Sequence, residues 1–225
     1  NAVTYTCIYA AEALNAIDVG VLAKVLQALV DRHPSLRTTF TERDGTPLQR
    51  VQPAGVAKLD FKHVIVGSGS SSEKKSDADA QAGGDESNGE ARRLQRMLRQ
   101  EAQTPFDITA GPVFRAKLFE TKTVKSSDGR PMFGVLHLMA HHITVDGWSM
   151  ELLVNELVAA YAHAKKGGDI ATLESANILP KPGMSMTSYA RKQRETVDSS
   201  EGQRAFDFWQ RSLAKPLPLV AMPTD

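Results

Sequence analysis

At 225 residues and 41% hydrophobic composition, the chain can bury a substantial core and has room for one or two domains. Its 27 lysines and arginines nearly balance 26 aspartates and glutamates, so charge gives no basis for binding nucleic acid or an anionic membrane. A single cysteine excludes an internal disulfide, and the apolar runs fall short of the roughly 20 residues that a membrane span needs. We therefore expect a cytoplasmic protein.

The N-terminal part of the chain predicts a strand, a helix and a hairpin. Residues 3–10, VTYTCIYA, are rich in β-branched and aromatic residues, which favours a strand. Residues 18–33 predict a helix capped by Asp18, with an apolar face formed by Leu22, Val25, Leu26 and Leu29. Residues 36–51 predict a hairpin, because Asp44-Gly45 suits the tight turn between two strands.

Residues 67–90 differ in composition from the rest of the chain. The stretch GSGSSSEKKSDADAQAGGDESNGE contains no aromatic or large aliphatic residue, so it cannot bury enough surface to offset the entropy lost on ordering. We predict a disordered loop inserted within a domain. A linker between two domains is the alternative.

Beyond this stretch, helices and strands resume in an irregular order. The pattern predicts strands at 111–120 and 132–142, joined by a hairpin loop at 121–131, and helices at 90–103, 148–166 and 201–213. The strand at 132–142 is apolar on both faces apart from its histidines, which is typical of the centre of a sheet. The mixture predicts an α/β or α+β fold, with a mixed β-sheet flanked by helices.

The helix at 148–166 follows that strand and should pack on the sheet. Its expected buried stripe consists of Met150, Leu153, Val154, Leu157, Val158 and Tyr161. Gly167-Gly168 is expected to end it.

Between this strand and this helix lies LMAHHITVDGWSM, residues 138–150, for which a metal site is one hypothesis. Adjacent residues on a strand point to opposite faces, so His141 and His142 cannot easily share one ion. No cluster of cysteines or glutamates supplies further ligands. His137 does share a strand face with His141, but packing in the sheet explains this spacing. The sequence therefore does not favour a metal site.

Acid–base chemistry is the other hypothesis for this stretch. A histidine that leaves a central strand into a turn stands where α/β folds place reactive groups, and its near-neutral pKa suits proton transfer. Asp146 can fix the loop either by capping the next helix or by pairing with an arginine. Gly147 allows close approach of backbone or substrate.

Three segments resemble condensation domains of non-ribosomal peptide synthetases. HHITVDG at 141–147 matches their signature His-His-x-x-x-Asp-Gly, which is shared with other acyltransferases of the chloramphenicol acetyltransferase-like fold, and Trp148 follows as in the fuller motif. RHPSLRTTF at 32–40 resembles the family's second motif, and residues 208–225 resemble the stretch that joins the two halves of the domain. Residues 188–195 only hint at the fourth motif, since they lack its aspartate and tryptophan. The resemblance implies that residues 1–225 are the N-terminal part of such a domain.

The resemblance further implies roles for residues of the signature. His142 would accept a proton from the attacking amine or position it, and His141 would face inward and hold the strand end. Asp146 would be structural, with Arg37 of the second motif as its candidate partner. The Gly147 backbone would help hold the oxyanion or leave room for the pantetheine arm.

The expected reaction is formation of a peptide bond between two carrier-bound substrates. Upstream and downstream peptidyl carrier domains would present them as thioesters on phosphopantetheine arms, in one assembly line with an adenylation domain. No cofactor is expected on this domain itself, and Trp148 is expected to support the site. Two alternatives remain at this point: another thioester- or CoA-dependent acyltransferase, and a non-catalytic carrier-docking module.

Overall fold

The computed structural model describes residues 6–67 and 86–217. Contacts divide the chain into two compact units, Asn1–Pro182 and Gly183–Asp225. In chain order the strands are β1 (Thr6–Ala13), β2 (Thr38–Arg43), β3 (Thr46–Val51), β4 (Asp60–Ile65), β5 (Phe114–Glu120) and β6 (Gly134–His141). The helices are α1 (Val19–Arg32), α2 (Glu86–Ala102), α3 (Gly147–Lys165), α4 (Met186–Val197) and α5 (Ser200–Ser212), with short 3-10 turns at Pro34–Arg37 and Ile170–Thr172.

The first unit is built on a four-stranded mixed sheet in the order β1-β6-β5-β4. β6 runs antiparallel to both of its neighbours, β1 and β5, whereas β4 and β5 are parallel. β6 is buried along all of its length except its last residue, since helices cover both faces of the sheet. The predicted mixed sheet and the central position of this strand are confirmed. β4 was not predicted.

One face of the sheet packs against α1 and α3. The side chain of Asp18 caps α1 by accepting a hydrogen bond from the Val21 amide at 3.0 Å, as predicted. The shared core contains the predicted apolar face of α1 together with inward-facing residues of β5, β6 and α3: Leu22, Val25, Leu26, Leu29, Phe114, Ala116, Leu118, Leu136, Leu138, Ala140, Met150, Leu153 and Leu157.

The predicted stripe of α3 is wrong at one position. Val158 is exposed, whereas Glu156 and Ala160 are buried on the core side of the helix. A carboxylate is tolerated there because Arg32 and His33 bind it. Gly167 follows the helix with a positive φ of 84°, which favours glycine after a helix end.

The other face of the sheet packs against α2, where a smaller cluster joins Val66, Leu94, Phe119 and Val135. Helix α2 begins at Glu86, so the last five residues of the predicted disordered stretch 67–90 are helical. The carboxylate of Glu90 is buried and accepts hydrogen bonds from the amides of Lys122 and Thr123 at 3.0 and 2.7 Å. Residues 68–85, where most of the predicted disorder falls, lie outside the described residues.

β2 and β3 form the predicted hairpin. Asp44 and Gly45 adopt positive φ angles of 50° and 74°, the backbone that a two-residue turn between antiparallel strands requires. In the second unit, α5 spans almost the predicted range 201–213 and Ser199 caps it. α4 was not predicted as a helix, because its large apolar or aromatic residues, Met186, Tyr189 and Val197, are too sparse to form a continuous helical stripe.

Candidate active site

The signature HHITVDG forms the turn that leads from the central strand into α3. β6 ends at His141, and α3 begins at Gly147. The turn is closed by Thr144, whose amide and hydroxyl both donate to the carbonyl oxygen of His141, at 3.0 and 2.9 Å. On the strand side, the His141 amide donates to the Val113 carbonyl at 2.9 Å. The signature is therefore anchored at its first residue.

His141 is half-buried and faces the same side of the sheet as His137, as predicted for residues on one strand face. Its Nδ1 accepts a hydrogen bond from the Ile143 amide at 3.1 Å, which places the proton of the neutral ring on Nε2. Burial, and then the neighbouring His142, lower the pKa of His141. The neutral form is therefore favoured at pH 7, and it is the form that the turn requires.

His142 differs from its neighbour because its side chain is exposed. It nevertheless lies close enough to both His141 and Asp146 for its charge to affect their pKa values. An accessible imidazole at the end of a rigid central strand can exchange a proton with a bound substrate. One ring of the pair is thus half-buried against the sheet, and the other is exposed.

Asp146 caps α3. Its Oδ1 accepts hydrogen bonds from the Ser149 amide at 2.8 Å and from the Ser149 hydroxyl at 2.6 Å. These two bonds, the hydroxyl first, lower the pKa of Asp146, so the carboxylate is ionised at neutral pH. Of the two ways in which an aspartate here could fix the loop, the structure uses capping.

The predicted pairing of Asp146 with Arg37 is wrong: within the described residues no ion pair joins them. The Arg37 guanidinium instead donates to the carbonyl of Gln52, which follows β3 at the open end of the β2–β3 hairpin. Arg37 also lines a cavity of about 240 Å³ with Thr39 and Val113. Arg37 therefore ties the start of β2 to the residue that follows β3.

Gly147 and Trp148 begin α3 and face open space. A Cβ atom built on Gly147 would meet nothing within 4 Å, so no protein neighbour requires glycine there. The side chain of Trp148 is 79% exposed. If either residue supports the site, its contacts must be with molecules that bind there.

A buried ion cluster holds the helix that follows the signature, and sequence reasoning missed its central residue. Glu156 of α3 is 5% exposed and accepts hydrogen bonds from Arg32 Nε at 3.0 Å and from His33 Nε2 at 2.6 Å. Burial raises the pKa of Glu156, but the hydrogen bonds and charges of His33 and Arg32 outweigh it and leave the pKa below its ordinary value. The first two residues of RHPSLRTTF thus tie α1 to α3.

The described residues contain no group of three or more histidine, cysteine, aspartate or glutamate side chains that could hold a metal ion. Nor does any helix among them have the length and apolar character to cross a membrane.

A family model described as "Condensation domain" matches residues 3–225. The chain belongs to this family. Among curated relatives, it is 31% identical over 221 residues to a linear gramicidin synthase protein of Brevibacillus parabrevis, covering 98% of this chain. It is 34% identical over 218 residues to cyclosporin synthetase of Tolypocladium inflatum, covering 97% of this chain. The chain spans only 2% and 1% of the lengths of these two relatives.

Two solved structures have a similar fold over nearly the whole of this chain. The epimerization domain from the third module of tyrocidine synthetase B matches with a TM-score of 0.73 and 23% identity, covering 99% of this chain and 43% of that chain. The starter condensation domain of rhizomide synthetase matches with a TM-score of 0.68 and 18% identity, covering 96% of this chain and 44% of that one. The predicted chloramphenicol acetyltransferase-like fold is confirmed.

Proposed function

We propose that this condensation-domain chain takes part in forming a peptide bond between two carrier-bound substrates in non-ribosomal peptide synthesis. One observation carries the proposal: the family signature forms an ordered turn that presents an exposed His142 next to an inward-facing His141. The curated relatives, which include a gramicidin synthase and a cyclosporin synthetase, support this class of product.

The chemistry requires one proton acceptor and one place for developing negative charge. The α-amine of the acceptor attacks the donor thioester carbon, so that a C–N bond forms, the C–S bond breaks and the thiol leaves. His142 accepts a proton from the attacking nitrogen, and this proton goes to the departing sulfur. No covalent enzyme intermediate is needed, because a thioester is already activated.

The other signature residues assist through position. His141 holds the strand end, and Asp146 keeps the first turn of α3 formed by capping it. The amide of Gly147 makes no hydrogen bond within the described residues, so it can donate to the oxyanion of the tetrahedral intermediate. Open space at Gly147 and Trp148 leaves room for a pantetheine arm.

The expected partners follow from this chemistry. Upstream and downstream peptidyl carrier domains deliver the substrates on phosphopantetheine arms, and an adenylation domain of the same assembly line loads them. The domain binds no cofactor of its own, and neither nucleic acid nor membrane is a partner; the assembly line is cytoplasmic. Because the chain matches 43% of the epimerization domain's length, we further propose that residues 1–225 form the N-terminal part of a two-lobed domain, with an insertion that ends before α2 inside it.

A reconstituted transfer tests the proposal. The complete two-lobed domain, of which residues 1–225 are proposed to be one part, is mixed with one carrier loaded with an aminoacyl thioester and a second carrier loaded with another, and the acceptor carrier is analysed by mass spectrometry. We expect a dipeptidyl acceptor, and none when the acceptor amine is acetylated. Efficient transfer from acyl-CoA to a free amine, with no product on the carriers, would instead indicate a CoA-dependent acyltransferase. No transfer to any acceptor would indicate a non-catalytic module.

A further inference from the structure

A buried arginine lies on the sheet face that carries His141. Arg115 of β5 is 6% exposed and lies opposite Met139 of β6, on the sheet face that also carries His141. Its guanidinium donates to the carbonyls of Glu101 and Pro105, both at 3.2 Å, and to that of Thr104. Carbonyls at the end of a helix lack partners within the helix and carry partial negative charge. Arg115 thus fixes the C-terminal end of α2 to the sheet.

Phe106 lies between this arginine and the signature. Its ring centroid is 4.1 Å from the Arg115 guanidinium carbon, a cation–π distance, and 6.3 Å from the centre of the His141 ring. The two rings are nearly perpendicular, at 81°, which is a favourable arrangement for an aromatic pair. Phe106 is 8% exposed, so its contacts are made away from solvent.

The backbone next to Phe106 is itself fixed. Oδ1 of Asp107 accepts hydrogen bonds from the amides of Thr109 and Ala110 at 2.8 and 3.1 Å, and the Asp107 carbonyl accepts one from the Gly111 amide at 2.8 Å. The backbone is therefore fixed after Phe106 by this turn and before Phe106 by the bonds from Arg115 to Thr104 and Pro105. A Phe106 ring held in this way can restrict the rotation of the His141 ring.

The orientation of the His141 ring matters beyond its own position. Its Nδ1 accepts from the Ile143 amide, and its carbonyl accepts from Thr144, so the ring and the turn form one hydrogen-bonded unit. A different rotation of the ring would break the Ile143 bond, one of the three hydrogen bonds to His141 that hold the turn carrying His142. Contacts that hold the His141 ring therefore also hold the residue proposed to move the proton.

We propose that Phe106, clamped by Arg115, is a positioning residue that orients His141 and through it the turn bearing His142. Its catalytic consequence rests on the proposed function. The sequence TPFDITAGPVFR, residues 104–115, supplies both members of the clamp within one loop and the start of β5. Neither residue needs to touch substrate.

The test compares two phenylalanines of the same sheet region. Phe106→Leu removes the ring beside His141, whereas Phe119→Leu removes a ring that is more deeply buried, at 1% exposure, and contacts His137 instead. Phe119→Leu therefore controls for the general cost of removing a buried ring. Both variants are studied below their melting temperatures, in carrier-to-carrier transfer and by NMR of the protein with ¹⁵N-labelled histidine rings. The His141 signal is assigned with His141→Asn.

We expect Phe106→Leu to shift His141 from a single Nε2-protonated tautomer toward a mixture, and to lower the single-turnover rate about 10-fold, because misplaced reacting groups lose rate steeply. Phe119→Leu should leave the His141 signal unchanged and the rate within about twofold of wild type. An unchanged His141 signal in Phe106→Leu, or equal rate losses in the two variants, would overturn the inference. If the wild-type protein transfers nothing, the proposed function fails, while the NMR comparison still decides whether Phe106 orients His141.

Discussion

The two faces of the four-stranded sheet are built from the same strands, but they carry different kinds of side chain. Toward α1 and α3, β5 and β6 bury six apolar side chains: Phe114, Ala116, Leu118, Leu136, Leu138 and Ala140. On the opposite face, the alternating positions of the same strands include Arg115, Lys117, His137 and His141. One strand can thus anchor a core on one side and hold a titratable side chain on the other. The larger apolar cluster lies on the side of α1 and α3, whereas the side of α2 combines a smaller apolar cluster with titratable groups.

The largest effect should come from the apolar face. Leu138 is fully buried there, so Leu138→Ala should lower the free energy of unfolding by about 3 to 5 kcal/mol through lost burial and a cavity. Urea denaturation measures it. The control is Leu152→Ala, at an exposed position of α3, where a change below about 0.5 kcal/mol is expected. Similar losses in both variants would contradict the assignment of the core to this face.

The ion cluster of Glu156, Arg32 and His33, which joins α3 to the end of α1, gives the next test. Glu156→Gln should cost about 3 kcal/mol, because the buried Arg32 guanidinium would lose the carboxylate that neutralises it. Glu174 is a matched control, since it also binds Arg32 but its side chain is 45% exposed. Glu174→Gln should cost less than about 1 kcal/mol. Equal losses would mean that burial does not determine the strength of these contacts.

The role of Asp146 is separable by two substitutions. Asparagine caps helices about as well as aspartate does, whereas alanine does not cap. Asp146→Ala should therefore lower stability by about 1 kcal/mol, and Asp146→Asn by less than about half of that. Thermal unfolding at constant pH compares them. If an ion pair with an arginine held Asp146, the asparagine variant would be as unstable as the alanine variant.

The polar face should make stability depend on pH. Burial lowers the pKa of His137, and the Glu101 carboxylate opposes this only in part, while Arg115 and Lys117 lower the pKa further. The folded protein therefore binds this proton more weakly than the unfolded chain, whose histidine titrates near 6.5. Stability is full above about pH 6.5 and falls as the pH drops below that value toward the folded-state pKa.

His137→Gln should flatten this dependence. We expect a smaller fall in the free energy of unfolding between about pH 7 and 5.5 than in the wild type, measured by urea titrations across that range. Leu152→Ala, which removes no titratable group, should keep the wild-type slope. The same slope in His137→Gln as in the wild type would show that another group controls it. This is the smallest of the expected stability effects.

Local signals in the sequence predicted most of the fold. Asp18 marked the start of α1, Asp44-Gly45 marked the hairpin, and the apolar run of β6 marked the centre of the sheet, because each depends on nearby residues. β4, an edge strand of mixed polarity, and α4, whose large apolar or aromatic residues are sparse, lack such signals and were missed.

Long-range partners limited the prediction of the site. The signature identified His141 and His142, and the cap at Asp146 was one of two local options. The arginine partner was wrong, because the direction of the Arg37 side chain depends on how the hairpin folds back to Gln52. Glu156 was missed, since its partners lie more than a hundred residues earlier in the chain. The contact of Phe106 with His141 was missed for the same reason, since the two residues are distant in the sequence.

The most direct test of the account is the single-turnover rate of His142→Ala, measured with both carriers loaded and together with its melting temperature. Because the His142 side chain is exposed, we expect a melting temperature equal to that of the wild type. Because His142 is proposed to accept the amine proton, we expect the rate to fall by roughly 10² to 10⁴. A rate near that of the wild type, at saturating carriers, would contradict the assignment of proton transfer to His142.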